Sequence, residues 1–210
     1  MALHSLVKDS MSCLNIFRII SSLIFISTLL HTASASNSTN ALNTYKKFIK
    51  VKCYSTTYSD VCYKSLSPYA SKIKTNTFTL TKTSVYLALN ATKTAYVTLK
   101  KLSKSKGNLT HAETEVLADC KDNIGDTVDL LQQSADTLGY LNGITTDEER
   151  FQWDGIKTWM SASITDEGTC TDEFDEMEVQ PSLQKKIKPI VANVAKKNSI
   201  ALALVNNLSY

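Results

Sequence analysis

Apolar residues recur every third or fourth position through most of the chain beyond residue 78. From Thr110 to Leu141 the set is Leu117, Cys120, Ile124, Val128, Leu131, Ala135 and Leu138. These spacings make one stripe about nine turns long on a helix of 3.6 residues per turn. Asp119, Asp122, Asp126, Asp129, Gln133 and Asp136 fall on the opposite side. Thr110 and Glu113 stand at the Thr-x-x-Glu spacing of a capping box, which satisfies N–H groups that a helix start leaves unbonded. The pattern predicts a helix over 110–141.

Three more long helices follow from the same reading. Residues 78–102 carry Leu80, Val85, Leu87, Leu89, Ala95 and Leu99. After the loop LNGITTDEE, either Thr145 with Glu148 or Thr146 with Glu149 can cap a helix whose inner side is Ile156, Trp159, Met160 and Ser163. Gly168 suits a C-terminal stop, and the acidic TDEFDEMEV reads as a solvated connection. Pro181 and Ser182 open a last helix to about Asn206, striped with Leu183, Ile187, Ile190, Val194, Ala201 and Leu204. Pro189 should kink it or delay its start.

The first part of the chain has a different pattern. Lys8 and Arg18 precede the apolar run from Ile19 to Leu30, and Ala33-Ser34-Ala35 follows. Basic region, short apolar core and small-residue exit make a secretory signal over 1–35. The run is too short for a span of about 20 residues, so no membrane association is expected after cleavage. One domain, 36–210, should remain, and no sequence repeat or low-complexity segment is seen in it.

Secretion changes what the cysteines mean. Cys13 leaves with the signal, and Cys53, Cys62, Cys120 and Cys170 remain. An even set in an oxidising route points to two bridges. Cys53 and Cys62 are nine positions apart, about 13.5 Å on a straight helix, too far for a disulfide. YSTTYSD between them is rich in residues that favour turns and caps. A clamped helical hairpin over about 40–68 follows. Cys120 and Cys170 are about equally far from the loop near 142–148, so antiparallel helices bring them to one height. That bridge would close about 50 residues, worth about 4 kcal/mol by loop entropy. The fold class is therefore all-α, an up-down four-helix bundle (about 78–206) with an N-terminal disulfide-clamped helical hairpin. The secretory route also gives meaning to four glycosylation sequons, at Asn37, Asn90, Asn108 and Asn207.

Catalytic chemistry is missing from this pattern. There is no Gly-rich phosphate loop, GxSxG, HExxH or CxxC, and His111 is the only histidine beyond residue 35. No catalytic residue, metal site or cofactor is expected. Asp166, Glu167, Asp172, Glu173, Asp175 and Glu176 read as solvated charge rather than an acid/base pair. Residues 36–210 hold 21 Lys and Arg against 19 Asp and Glu, a net +2, which gives no signal for nucleic acid. The charge is uneven: lysines gather at 46–52, 100–106 and 185–197, and acids at 166–178. Such clusters can meet a charged partner.

CYSTTYSDVC, VLADCKDNIGDTVDLLQQSADTL and IKTWMSASITDEGTCTDEF together resemble the plant invertase and pectin methylesterase inhibitor family, over nearly all of residues 36–210. The resemblance implies a four-helix bundle with an N-terminal hairpin, bonded first-to-second and third-to-fourth, in agreement with the pairing above. WMSASITDEGTCTD looks like the pectin methylesterase inhibitor branch. The Pro-Lys-Phe element common in invertase inhibitors is absent from TTDEERFQW. The chain ends at Tyr210 without room for an esterase domain, which favours a stand-alone inhibitor over a pro-enzyme.

By resemblance, the protein would be secreted to the apoplast and bind a pectin methylesterase 1:1 across its substrate cleft, without reacting. The second and third bundle helices would make the contact. Thr169, before the fourth cysteine, maps to a contact position, and Asp126 and Asp129 occupy matching acidic positions; their alternatives are a turn residue and plain surface. An acid invertase is the other partner the family offers. A pectin-binding wall protein held by its lysines is a further reading, and an acyl hydrolase lacks its nucleophile. Salt separates the first class from lysine binding of pectin. If Asp126 or Asp129 share protons with the partner, the complex should be tighter in a mildly acidic wall than near neutrality.

Overall fold

The computed structural model describes residues 39–104, 109–141 and 146–208, and every regular element among them is helical. The chain divides into two compact units, Met1–Thr44 and Tyr45–Tyr210. In the first, residues 39–44 are helical. The signal at 1–35 and the sequons at Asn37 and Asn108 lie outside the described residues, as does Thr145.

The hairpin forms as its sequence dictates. In the second unit, helix α1 (residues 45–53) ends at Cys53, and α2 (Ser59–Leu66) carries Cys62. The Thr56 N–H and hydroxyl both donate to the Cys53 carbonyl, at 3.0 and 2.8 Å, so the Thr-rich turn satisfies the helix end. The Cys53–Cys62 bond joins Cα atoms 5.5 Å apart. A 3₁₀ turn (Ser67–Tyr69) and the short α3 (Ala70–Ile73) lead into the bundle. The hairpin is tied to the last helix by Lys197 Nζ donating to Ser65 Oγ at 3.2 Å and Asn207 Nδ2 donating to Ser55 Oγ at 2.9 Å.

Four long helices follow: α4 (Thr77–Ser103), α5 (His111–Tyr140), α6 (Asp147–Glu176) and α7 (Pro181–Asn206). Their starts are written in the chain. Asn76 accepts from Thr79 N at 2.7 Å, Thr110 with Glu113 and Thr146 with Glu149 form complete capping boxes, and Pro181 sits in the first turn of α7. Each helix packs on the next, and α7 closes the square against α4. The Cys120–Cys170 bond joins the start of α5 to the far part of α6, Cα atoms 4.3 Å apart, as antiparallel packing requires.

The interior has three layers. One apolar layer holds Leu99, Leu117, Ile124, Phe174, Ile187 and Val194; the other holds Val85, Leu131, Leu138, Trp153, Met160 and Val205. Between them every helix contributes a buried polar residue: Thr92, Thr127, Ser163 with Glu167, and Asn198.

Several readings of detail change. Helix α6 does not stop at Gly168, which has no positive φ; it continues to Glu176 because Cys170 is bridged and Phe174 is fully buried. The acidic stretch from 171 to 176 is therefore helix, and only residues 177–180 connect. Trp153 fills the core, while Trp159 is half-buried. Val191 joins the inner side of α7 as a fully buried residue while Ile190 packs on the core half-buried, and α7 starts at Pro181 and runs through Pro189.

Candidate partner-binding face

Charge divides the bundle into two sides. Helix α5 holds seven acidic residues and one lysine; α6 holds ten acidic residues, one lysine and one arginine. Helices α4 and α7 hold four and five lysines and no acid. A near-neutral chain thus folds into a strongly dipolar bundle, because the helices pack in chain order and like-charged pairs become neighbours.

The acidic side is built at the α5–α6 seam. Asp119, Asp126 and Asp129 are exposed on α5. Burial and then the charge of Asp126 across the seam push the Asp166 carboxyl up. Burial, followed by Asp119 and Glu176, does the same for Glu173. Thr169 is exposed between them on α6, three residues beyond Asp166 and four before Glu173, and so on their side of the helix. Its hydroxyl donates to the Thr165 carbonyl at 3.1 Å, which makes it a mid-helix residue and not a turn. Asp126 and Asp129 also line a hollow of about 370 Å³ against α4, with Tyr96, Asp122 and Gly125. A Cβ on Gly125 would stand 3.3 Å from the Tyr96 ring, so the glycine lets α4 and α5 approach here. The structure thus joins Asp126 both to Asp129 and, through Asp166, to Thr169's side of α6. Thr169 does not line the hollow.

Five turns back along the same side of α6, about 27 Å by helix rise, Phe151 opens a cleft of about 590 Å³ with Tyr140, Gln152, Asp154, Gly155 and Trp159. Phe151 is 75% exposed and Tyr140 83%, which is unusual for large aromatic rings. Neither was singled out from the sequence, although two aromatics beside a helix–helix loop and off the apolar stripes were a readable signal.

One acid from the presumed solvated cluster is not on this face. Glu167 is 1% exposed in the polar middle layer. Asn198 Nδ2 donates to Glu167 Oε1 at 3.2 Å and also to Ser163 Oγ, while Glu167 Oε2 and Asn198 Oδ1 have no partner. Burial pushes this carboxyl up to about 8, against the opposing pull of the Asn198 hydrogen bond. A neutral carboxyl fits this site better than a carboxylate, because it leaves no buried charge with a bare oxygen.

Among the described residues no group of His, Cys, Asp and Glu is arranged to hold a metal, and no helix is long and apolar enough to cross a membrane. Both pairs of cysteines are bonded. What remains is an all-α, disulfide-stapled bundle that presents an acidic, aromatic-ended face. Residues 47–204 match the family described as plant invertase/pectin methylesterase inhibitor, and the chain belongs to that family. It is similar to Pectinesterase inhibitor 4 of Arabidopsis thaliana, 35% identical over 90% of this chain and 94% of the relative. A 21 kDa protein of Daucus carota is 34% identical over 90% and 95%. Pectinesterase 1 of Citrus sinensis is 30% identical, but the match spans 29% of that protein. The crystal structure of a mutant form of a pectin methylesterase inhibitor from Arabidopsis superposes with a TM-score of 0.59 at 17% identity, covering 75% of this chain and 94% of that one.

Proposed function

We propose that this protein is a secreted, non-catalytic inhibitor that docks the α5–α6 side of its bundle on a pectin methylesterase, 1:1, and covers the substrate cleft. The observation that carries the reading is the meeting of Asp126, Asp166, Thr169 and Glu173 on one side of an inhibitor-family bundle. Asp129 extends this surface toward α4, and Tyr140 and Phe151 supply the exposed aromatic anchors that protein interfaces favour. Two disulfides and four packed helices fix the backbone of this face, which limits the order lost on binding. The cell wall is the compartment in which its disulfides and its target coexist.

The test is inhibition by the refolded, disulfide-intact chain from Ser36, assayed in parallel on a plant pectin methylesterase and an acid invertase. Loss of esterase activity at near-equimolar inhibitor, with invertase untouched, supports the reading, and Thr169→Lys should then weaken inhibition at least tenfold. Inhibition of invertase alone would transfer the role to the other target of the family. An affinity flat from about pH 5 to 8 would remove the idea that the acidic face shares protons with its partner.

A further inference from the structure

The side of the bundle away from the α5–α6 seam carries a second built surface. Helices α4 and α7 enclose a groove of about 550 Å³, lined by Asn90, Thr94 and Thr98 on one wall and Pro189, Asn193 and Lys197 on the other. Thr98 and Pro189 share this groove and the helices are antiparallel. Lys101 lies one turn beyond Thr98, and Lys186 one turn before Pro189. The two lysines therefore flank the same mouth. Lys197 marks the opposite end, eleven residues from Lys186 and about 16 Å away by helix rise. Lys101, Lys185 and Lys186 are exposed, and none of them pairs with a carboxylate among the described residues. Lys188, by contrast, is bonded to Asp175.

The lining sets the ligand class. Exposed cations in line with a groove whose own helices hold no acid attract a linear polyanion. Amide and hydroxyl groups set beside the apolar Pro189 and Ala91 match the mixed polar and C–H surface of a sugar ring. No aromatic side chain lines the groove, so it lacks the stacking platform that nucleobases need. We propose that the α4–α7 groove binds an acidic oligosaccharide, a polyuronate, with its carboxylates on Lys101, Lys186 and Lys197 and its rings against Pro189 and Ala91. De-esterification of pectin creates this chemistry, since each methyl ester removed leaves a carboxylate. The bundle would hold the de-esterified polymer on one side while its acidic side stays open to a protein. The proposal does not depend on which enzyme, if any, the acidic side engages.

The experiment is calorimetric titration of the disulfide-intact, unglycosylated chain from Ser36, because a glycan on Asn90 would occupy the groove. The probes are a galacturonate oligomer, its fully methyl-esterified counterpart, and poly-glutamate as a polyanion without sugar rings. The galacturonate should bind, and weaken as salt rises; the ester should not. Lys101→Gln with Lys186→Gln should lose at least tenfold in affinity, while Lys46→Gln with Lys47→Gln, in the α1 lysine cluster, should stay within twofold. Absence of galacturonate binding, equal binding of poly-glutamate, or equal loss in the two double variants would overturn the proposal. None of these readings requires an esterase, so failure here is distinct from failure of the inhibitor reading.

Discussion

Glu113 and Glu167 are each 1% exposed, on adjacent helices of one bundle, and their surroundings push the two carboxyls in opposite directions. Glu113 sits at the bundle end. Its Oε2 accepts from Thr110 N at 2.9 Å and its Oε1 from Gln180 N at 2.9 Å, so one carboxylate binds the starts of both α5 and α7. Those backbone hydrogen bonds, Thr110's first, hold its pKa below the usual glutamate range. Glu167 sits in the middle layer, where it receives one side-chain donor and leaves one oxygen bare. Neither side chain has much surface in contact with solvent, but at Glu113 backbone hydrogen bonds outweigh burial, while at Glu167 burial outweighs its one side-chain hydrogen bond. A helix start offers unbonded N–H groups, whereas the bundle middle has spent its own on the helices.

The largest expected effect follows from the middle layer. Glu167 has a folded pKa of about 8, raised above its ordinary value of 4.5. Its stabilisation is therefore complete below about pH 4.5 and is lost as pH rises toward and through 8. That interval corresponds to about 5 kcal/mol. Chemical denaturation from pH 4.5 to 9 should show this loss. Glu167→Gln should remove most of it, because an amide supplies a donor at every pH. A smaller fall should remain from Asp166 and Glu173, whose carboxyls are raised in the same sense. Equal pH profiles for wild type and Glu167→Gln would mean that Glu167 is ionised and solvated in the native state.

Asn198→Leu sharpens the point. Asn198 is fully buried, and its amide donates to both Glu167 and Ser163. Leucine would leave both acceptors unsatisfied, at about 1–3 kcal/mol. It would also remove the hydrogen bond that lowers the Glu167 pKa, so the alkaline midpoint should move to higher pH. A midpoint that stays in place would assign the pull on Glu167 to some other group.

This comparison also marks where sequence patterning stops. The helix starts were legible because a cap is local: Thr110 with Glu113, and Pro181, announce themselves within one turn. The apolar stripes gave the helices, and the cysteine heights gave the bridges. Glu167 was not legible, because it lies among acids that do face solvent, and only its register against Asn198, thirty-one residues away, puts it inside. The end of α6 was misjudged for a related reason: Gly168 is a local stop signal, overruled by Cys170 and Phe174, whose partners lie on other helices. Thr169, Asp126 and Asp129 could be picked out by family likeness. Their neighbours Asp166 and Glu173 emerge only when the α5–α6 seam is closed.

At the bundle end the predicted effect has the opposite sign in pH. With a lowered folded pKa, the contribution of Glu113 is present above its ordinary value of 4.5 and lost as pH falls through the folded value. Glu113→Gln should lower the melting temperature at pH 6–7, and the gap to wild type should close in strong acid, where the wild-type carboxyl is itself protonated. The substitution leaves one oxygen to accept, so the loss should be smaller than that of Asn198→Leu. A gap that widens with acid would contradict the two-helix tie.

The smallest effect isolates what that tie adds. Thr146 and Glu149 form the same capping box as Thr110 and Glu113, with Glu149 Oε2 accepting from Thr146 N at 3.0 Å and Thr146 Oγ1 accepting from Glu149 N at 3.2 Å. Here the box is exposed and serves the start of α6. Thr146→Ala should therefore cost about 1 kcal/mol, the usual value of an N-cap, with no effect at the other helix ends. Thr110→Ala removes a cap of the same chemistry but also loosens the carboxylate that holds Gln180. Its cost should exceed that of Thr146→Ala, and amide exchange should quicken in the first turn of α7 as well as in α5. If exchange quickens in α5 alone, the two boxes are equivalent, and the link between α5 and α7 rests on the packing of Val116, Leu117 and Leu183 instead.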